Sequence, residues 1–345
     1  INKLKGKSLL AIDTETTGLD PLKDRIRLVQ IGAPGEPPLL LDMFALEREK
    51  TISALNELLE DIGKTKLFHN AKFDLSFLKV AGVNVEGPIF DTMLAEQLII
   101  SGLGNSSVKL SDLSLKYLHR PLSKEQQTSD WSGELSKGQL EYAARDVTVL
   151  LELYTPITQG IKKAKLSEVA QIEFETLPAV VALELNGILL DRQKLEKLTG
   201  QLHTELEEAE ANCRNLFGDG INLNSPKQLL EALEKRGIKT DKTDAATLKS
   251  MEKKHPEASV ILRYRKASKA VSTFTEKLPG FIHPVTGRIH PSYWQLGAAT
   301  GRFSCSNPNL QQIPNELRFR ECFIPTPGNK FVIADYSQIE LRVAA

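Results

Sequence analysis

The sequence predicts an α/β domain, then a mostly helical region, then a shorter mixed α+β region. Up to about residue 160, short apolar runs alternate with amphipathic stretches, which is typical of an α/β layer fold. From about residue 166 the apolar spacing becomes that of long helices. After residue 281 come hairpin-like turns, a loop rich in Gly, Ser, Asn and Pro, and a final apolar run.

The first region combines predicted strands with predicted helices. The strands are expected at 8–13, 26–33, 38–43 and 66–70, and the helices near 49–62, 71–81, 91–101 and 111–118. Ser136 and Gln139 then form a capping-box pattern ahead of a strongly amphipathic helix, which is predicted to end at Pro156. A domain boundary is expected around 156–165, where the apolar periodicity is interrupted.

The second region is predicted to be helical and basic. Helices are expected over 166–186, 192–217, 225–236 and 256–277, and the last region is expected to close with an apolar strand at 330–335. Segment 224–280 holds 13 Lys and Arg against 7 Asp and Glu, although the complete chain has 44 of each sign. The neutral total therefore conceals a basic segment, which either binds phosphates or forms a solvated helix face.

Composition excludes several classes of protein. A chain of 345 residues with 41% hydrophobic residues predicts two or three globular domains. The three cysteines form no CxxC pair, which argues against a disulfide framework and a structural zinc site and favours a reducing cytosol. Neither a membrane span nor a signal peptide is predicted. The chain lacks an initial Met and stops within a strand-helix pattern, so we expect a fragment at both ends.

Three acidic patterns lie in the first region. Asp13 ends a predicted strand, and Glu15 follows two residues later on the same face, a placement that suits a hard divalent cation. Asp74 lies in the first turn of a helix after Asn70, the predicted N-cap, where a plain helix-dipole role would also explain it. Tyr142 and Asp146 are four residues apart on one helix face, and such neighbours are common. Each pattern alone is weak.

The ordered set DxE, NxxFD and YxxxD resembles the DEDD exonuclease superfamily, in the branch with Tyr in the third motif. The resemblance implies a ribonuclease-H-like sheet on which Asp13, Glu15, Asp74 and Asp146 hold two divalent ions, Mg²⁺ or Mn²⁺, about 3.5–4 Å apart. Tyr142 would orient the attacking water, and Asn70 would contact DNA. Three further polar residues are expected to be structural: Asp91 as a helix cap, Asp130 in a turn, and His69 as a packed or solvated side chain.

Two later segments, GRIHPSYWQLGAATGRFSCSNPNLQQIPN and KFVIADYSQIELRVAA, are similar to family A DNA polymerases of the bacterial DNA polymerase I type. The resemblance implies an exonuclease domain at 1–160, a linker helix and thumb at 161–280, and the start of an α+β palm at 281–345. It assigns Asp335 to the palm Mg²⁺ site of the complete polymerase and Glu340 to nucleotide binding. The residues that it assigns to DNA contact are Arg265, Lys269, Ser272, Thr273 and Arg302.

The expected function is a 3′–5′ proofreading exonuclease that releases nucleoside monophosphates from DNA. The expected partners are a single-stranded 3′ end and a primer-template duplex, bound by a monomer in a bacterial cytosol. Polymerase activity is not expected from this chain alone, because the family's fingers helix and later palm motif follow the last segment quoted above. Two alternatives stay open: a ribonuclease-D-like RNA-processing nuclease, and a catalytically inert DNA-binding scaffold.

Overall fold

The computed structural model describes residues 1–101, 107–123, 126 and 129–345, which form two compact units. Unit 1 comprises Ile1–Asn186 and Pro291–Ser306, and unit 2 comprises Gly187–His290 and Asn307–Ala345. Segment 281–345, which is predicted as one domain, therefore contributes residues to both units. The predicted domain limits at 160 and 280 stay predictions.

Unit 1 is built on a five-stranded mixed sheet. Its strands are β1 (Leu9–Thr16), β2 (Ile26–Gly32), β3 (Leu39–Asp42), β4 (Thr65–Phe68) and β5 (Ile89–Asp91). Their order is β3-β2-β1-β4-β5, with β1, β2 and β3 antiparallel and β4 and β5 parallel to β1. This arrangement agrees with the ribonuclease-H-like fold that the sequence predicts. The short strand β5 is absent from the prediction, because its three residues lead directly into a helical pattern.

Helices cover this sheet. They are α1 (Arg48–Leu59), α2 (Ala71–Ala81), α3 (Thr92–Ile99), α4 (Leu110–Leu118), α5 (Lys137–Lys163) and α6 (Ser167–Asn186). The predicted end of α5 at Pro156 is wrong, since the helix continues for seven residues beyond it. A proline in a helix interior costs about 3 kcal/mol, but Ile157 and Ile161 are both buried in the core of unit 1. Burying two such side chains contributes about 1.5–3 kcal/mol each and offsets that cost.

A two-stranded hairpin from late in the chain also belongs to unit 1. It consists of β8 (Ser292–Trp294) and β9 (Ser304–Ser306). Lys72 of α2 donates to the backbone oxygen of Tyr293 and to Glu184, at 2.7 Å each. Its ammonium also lies 4.2 Å from the ring centre of Trp294. These contacts fix the hairpin on the helices of unit 1.

Unit 2 is mostly helical. Its helices are α7 (Arg192–Phe217), α8 (Pro226–Lys235), α9 (Ala245–Met251), α10 (Pro256–Ala270), α11 (Leu317–Arg320) and α12 (Ile339–Ala344). Strands β6 (Ile188–Leu190), β7 (Arg288–Ile289) and β10 (Phe323–Ile324) form a small sheet in the order β10-β6-β7. The helix predicted over 256–277 is α-helical only to Ala270, and Val271–Lys277 follows as a π-helical turn.

The predicted strand at 330–335 does not form. Phe331, Val332 and Ile333 are exposed, with Val332 at 94%, and the segment has no regular structure. An apolar run becomes a strand only when another strand pairs with its backbone, and no described strand lies beside it. Among the described residues, no helix has the length and apolar character that crossing a membrane requires.

Candidate functional site

Strand β1 carries the first two acids on one face. It extends three residues beyond Asp13, so Asp13 and Glu15 both lie within regular strand geometry. Asp13 is paired with Gln30 of β2, and Glu15 with Leu28. A bulge after Glu15 then changes the register, which locally bends the strand. The same-face placement that the sequence predicts is confirmed.

Helix α2 brings Asp74 to β1. Asp74 is 2% exposed, and its Oδ1 accepts a hydrogen bond of 2.6 Å from the Thr14 hydroxyl. Sequence reasoning missed Thr14, which lies between the two acids and points to the opposite face of an ideal strand. Only the position of α2 in the folded unit reveals that contact.

Helix α5 supplies Tyr142 and Asp146. The predicted capping box is present, with Ser136 and Gln139 bonding reciprocally at the start of the helix. The Tyr142 hydroxyl lies beside the Asp146 carboxylate and acts to lower its pKa, and Arg145 Nε lies 3.7 Å from Asp146 Oδ1. The guanidinium carbon of Arg145 also lies 5.0 Å from the centre of the Tyr142 ring. The capping box fixes where α5 begins, and the helical spacing then places Tyr142, Arg145 and Asp146 close together.

Burial raises the pKa of all four carboxylates, and neighbouring acids of the group raise those of Asp13 and Glu15 further. Burial raises the pKa of Asp13 well above its ordinary value, and Asp74, Glu15 and Asp146 raise it further. Burial, followed by Asp146 and Asp74, raises the pKa of Glu15 to about 8. Burial also raises the pKa of Asp74 to about 7 and that of Asp146 to about 6. The structure thus brings together four acids from β1, α2 and α5, which we call the carboxylate cluster (Asp13, Glu15, Asp74 and Asp146).

The cluster has the donor chemistry of a divalent-metal site. Carboxylate oxygens are the ligands that Mg²⁺ and Mn²⁺ prefer, and buried like charges that raise each other's pKa favour a bound cation. Within the described residues, no three His, Cys, Asp or Glu side chains already converge closely enough to enclose an ion. The four carboxylates thus fit a divalent cation by their oxygen ligands and their negative charge, although they do not already form a closed ion site.

The residues expected to be structural are confirmed as such. Asp91 accepts from the backbone N–H groups of Met93 and Leu94 as the cap of α3. Asp130 accepts from the Ser132 backbone and hydroxyl in a turn. Burial lowers the pKa of His69 to about 4, and its Nδ1 lies 2.9 Å from the Thr92 hydroxyl oxygen.

Asn70 occupies the N-cap position of α2 but does not cap the helix with its side chain. Its backbone is left-handed, with φ of 66°, and the Asp91 carboxylate accepts from the N–H groups of both Asn70 and Ala71. The predicted capping role of the Asn70 side chain is therefore wrong, because a buried carboxylate takes it over. Asn70 Oδ1 is buried, and no described group bonds to it.

The proposed DNA contacts of unit 2 differ in their surroundings. Arg265 is partly buried and donates to the backbone oxygen and hydroxyl of Thr243. Lys269 and Thr273 are exposed, and the Ser272 hydroxyl donates to the backbone oxygen of Lys269. Ser272 and Thr273 lie in the π-helical turn. Arg265 therefore has a structural bond that the sequence pattern does not indicate.

Three further predicted site residues lie on the surface. Arg302 is exposed in the connection between β8 and β9 of unit 1. In unit 2, Asp335 is exposed in the irregular segment and Glu340 lies in the first turn of α12. The structure does not place Asp335 at the end of a strand, because that strand is absent.

Comparison with known families divides the chain in two. A sequence model for DNA polymerase family A matches residues 192–345, and a model for a 3′–5′ exonuclease matches residues 1–162. DNA polymerase I of Pseudomonas aeruginosa is 34% identical over 100% of this chain and 41% of its own length. DNA polymerase I of Aquifex aeolicus is 35% identical over 100% of this chain and 61% of its own length. The chain thus spans about two fifths to three fifths of these relatives.

A solved structure shows the same fold. It is the POL domain of Pol1 from M. smegmatis in complex with DNA primer-template and dNTP. It is similar with a TM-score of 0.82 and 28% identity, over 99% of this chain and 60% of that one. These matches cover both parts of the chain, and the ribonuclease-D-like alternative is not favoured.

Proposed function

The chain belongs to DNA polymerase family A and contains a 3′–5′ exonuclease domain, and we propose that this domain removes nucleotides from DNA 3′ ends with divalent metal ions. The observation that carries the proposal is the carboxylate cluster, in which burial raises the pKa of four acids from three elements and the neighbouring acids raise those of Asp13 and Glu15 further. A cluster of this kind is costly to bury unless cations neutralise it.

Asp13, Glu15, Asp74 and Asp146 would hold two such ions, either Mg²⁺ or Mn²⁺. When bound, the ions supply positive charge beside the attacking and leaving oxygens of a phosphodiester. The Tyr142 hydroxyl lies beside Asp146, and we propose that it positions the attacking water. Asn70, whose amide oxygen is buried without a described partner, would contact the DNA strand.

The second unit would hold DNA by its backbone. Lys269, Ser272, Thr273 and Arg265 are proposed to contact duplex phosphates, a contact without sequence selectivity. Support comes from the similar M. smegmatis structure, which is a complex with primer-template and dNTP.

The remaining assignments concern the complete polymerase. Arg302 is proposed to contact DNA, Asp335 to bind Mg²⁺ and Glu340 to lie beside the nucleotide. That the protein is a monomer, and that it works in a bacterial cytosol, also remain predictions.

The test is release of mononucleotides from a 3′-labelled single strand in Mg²⁺. Replacing Asp13 and Asp74 together by Ala should reduce release by more than about 100-fold, because two of the metal-binding carboxylates are removed. Asp130→Asn is the matched control, since it changes an acid of the same unit that lies in an exposed turn. Undiminished release in the double variant would refute the catalytic assignment.

An RNA strand of the same sequence separates the rival functions. Preferential degradation of RNA by the unaltered protein would favour an RNA-processing nuclease. Binding of DNA without any release, in either metal, would favour an inert scaffold.

A further inference from the structure

A buried amide in strand β2 lies beside the carboxylate cluster. Gln30 is 0% exposed, and neither Nε2 nor Oε1 of its side chain has a hydrogen-bond partner in the part of the chain that the structure describes. All seven residues of β2 are buried. An unpaired amide in such a strand costs free energy that an apolar side chain of similar size would not. The presence of Gln30 therefore calls for a role other than packing.

Strand pairing places Gln30 on the same face as the acids. Gln30 is the direct cross-strand partner of Asp13. Directly opposite residues of an antiparallel pair point to the same face, with Cβ atoms about 5 Å apart. A glutamine side chain spans that distance, so its amide can reach the carboxylate of Asp13.

Helix α5 covers the same face of β2. Leu28, two residues before Gln30, packs in a cluster with Ala143. Gly32, two residues after it, lies so near α5 that an added Cβ would be 3.3 Å from Cβ of Val147. Gln30 is therefore covered by the turn of α5 between Ala143 and Val147, which also carries Asp146.

We infer that Gln30 is a positioning residue for Asp13, an inference that rests on the proposed metal-binding function of the cluster. In the described part of the structure this amide is unpaired; when the cluster holds a cation, its N–H would donate to the Asp13 carboxylate and keep that carboxylate in the orientation that binds the cation. Carboxylates that ligate metals are commonly held by such a second hydrogen bond. A neutral amide is suited to this place, because a cationic side chain would compete with the metal and an acidic one would add repulsion.

The test compares Gln30→Met with the unaltered protein in two measurements. Met has a similar length and no polar hydrogen, so in EDTA the melting temperature should rise by a few degrees. The affinity for Mn²⁺, measured by titration calorimetry, should fall about 10- to 100-fold. In DNA hydrolysis, kcat should fall with little change in KM. A residue with only a packing role would not move stability and metal affinity in opposite directions.

Thr158→Val is the matched control. The Thr158 hydroxyl is also buried without a described partner, and it lies on α5 twelve residues beyond Asp146, about 18 Å away. This variant should gain stability and keep the Mn²⁺ affinity of the unaltered protein. Gln30→Leu repeats the test if Gln30→Met does not fold.

Two outcomes overturn the inference and are distinguishable. If Gln30→Met and Gln30→Leu bind Mn²⁺ within about twofold of the unaltered protein, while that protein binds Mn²⁺ and releases nucleotides, then only the role of Gln30 is wrong. If the unaltered protein neither binds Mn²⁺ nor releases nucleotides, the proposed function fails and the role of Gln30 fails with it.

Discussion

Asp146 differs from the other three acids of the carboxylate cluster because the guanidinium of Arg145 lies beside it. Burial raises its pKa to about 6, while the Tyr142 hydroxyl and the Arg145 guanidinium act in the opposite direction. The pKa of Glu15, by contrast, is raised to about 8 by burial and by two neighbouring acids. As the pH rises, Asp146 should therefore ionise before Glu15.

The cluster predicts an unusual pH dependence of stability in EDTA. Each of its pKa values is raised above the unfolded value, so the folded state favours the protonated acids. Stability from this source is complete below about pH 4 and is lost as the pH rises through about 6 to 8. The melting temperature in EDTA should fall over that range, and Mg²⁺ should restore it most at the upper end, because only ionised carboxylates bind the ion.

Glu15→Gln is the variant that isolates this effect. It keeps the shape of the side chain and removes an acid whose pKa is raised to about 8. Its melting temperature should vary less with pH than that of the unaltered protein, and Mg²⁺ should raise it less. An unchanged pH profile in thermal unfolding would contradict the assignment of the raised pKa to Glu15.

The acids of the site could be predicted from the sequence, whereas the residues that orient them could not. Asp13 and Glu15 follow an apolar run at a two-residue spacing, which puts two possible metal ligands on one face of a strand. The order of the later motifs then indicates Asp74 and Asp146. Thr14 and Gln30 have no such signal, because their contacts depend on where α2 and β1 lie in the folded unit. Tertiary position, which local spacing does not encode, decides both.

At the scale of elements, helices α7 and α2 match their predicted bounds. Helix α7 has the predicted bounds, with Asp191 accepting from the Lys194 N–H at its start and Gly218 at its end. Helix α2 also matches, although its start is capped by a carboxylate 20 residues away rather than by Asn70. The predicted strand at 330–335 fails because its stability depends on a pairing partner and not on its own apolar residues.

Arg265 and Lys269 lie on the same basic face of helix α10, but we expect their replacement by Ala to have different effects. Arg265→Ala removes donors from the nearly buried Thr243 and should lower the free energy of unfolding by about 1–3 kcal/mol. Lys269→Ala changes an exposed side chain and should alter stability by less than about 0.5 kcal/mol. It should instead weaken duplex binding and reduce the slope of log affinity against log salt by about 1.

Urea denaturation and fluorescence anisotropy with a labelled duplex measure the two effects. Lys235→Ala is the control, because Lys235 ends the neighbouring helix α8 and lies outside the predicted DNA contacts. If Lys269→Ala weakens binding to one sequence and spares another, the contact is not with the phosphate backbone.

At the scale of the whole molecule, zero net charge is an average over unlike parts. Unit 1 concentrates four acids in one cluster, of which Asp74 and Asp146 are buried, and segment 224–280 of unit 2 has a net charge of +6. Each unit also has its own hydrophobic core, centred on the sheet in unit 1 and on two helical clusters in unit 2. This distribution agrees with the proposed metal site in unit 1 and with the proposed duplex contacts of segment 224–280 in unit 2.

This division predicts where Mg²⁺ protects the chain from hydrogen exchange. An ion that binds the four carboxylates only when they are close together disfavours any local unfolding that separates β1, α2 and α5. Peptides from β1, α2 and α5 should therefore exchange more slowly in Mg²⁺ than in EDTA, as measured by mass spectrometry. Peptides from α8 and α9 should exchange at the same rate in both, because unit 2 opens there without parting the cluster.

The variant with both Asp13 and Asp74 replaced by Ala is the control for that experiment. It should show no Mg²⁺ protection in α5, although α5 itself is unchanged, because Asp13 of β1 and Asp74 of α2, two of the four proposed ligands, are then missing. Protection of α8 and α9 equal to that of α5 would instead place a Mg²⁺ site in unit 2. The carboxylate cluster of unit 1 would then not be the site at which the ion stabilises the molecule.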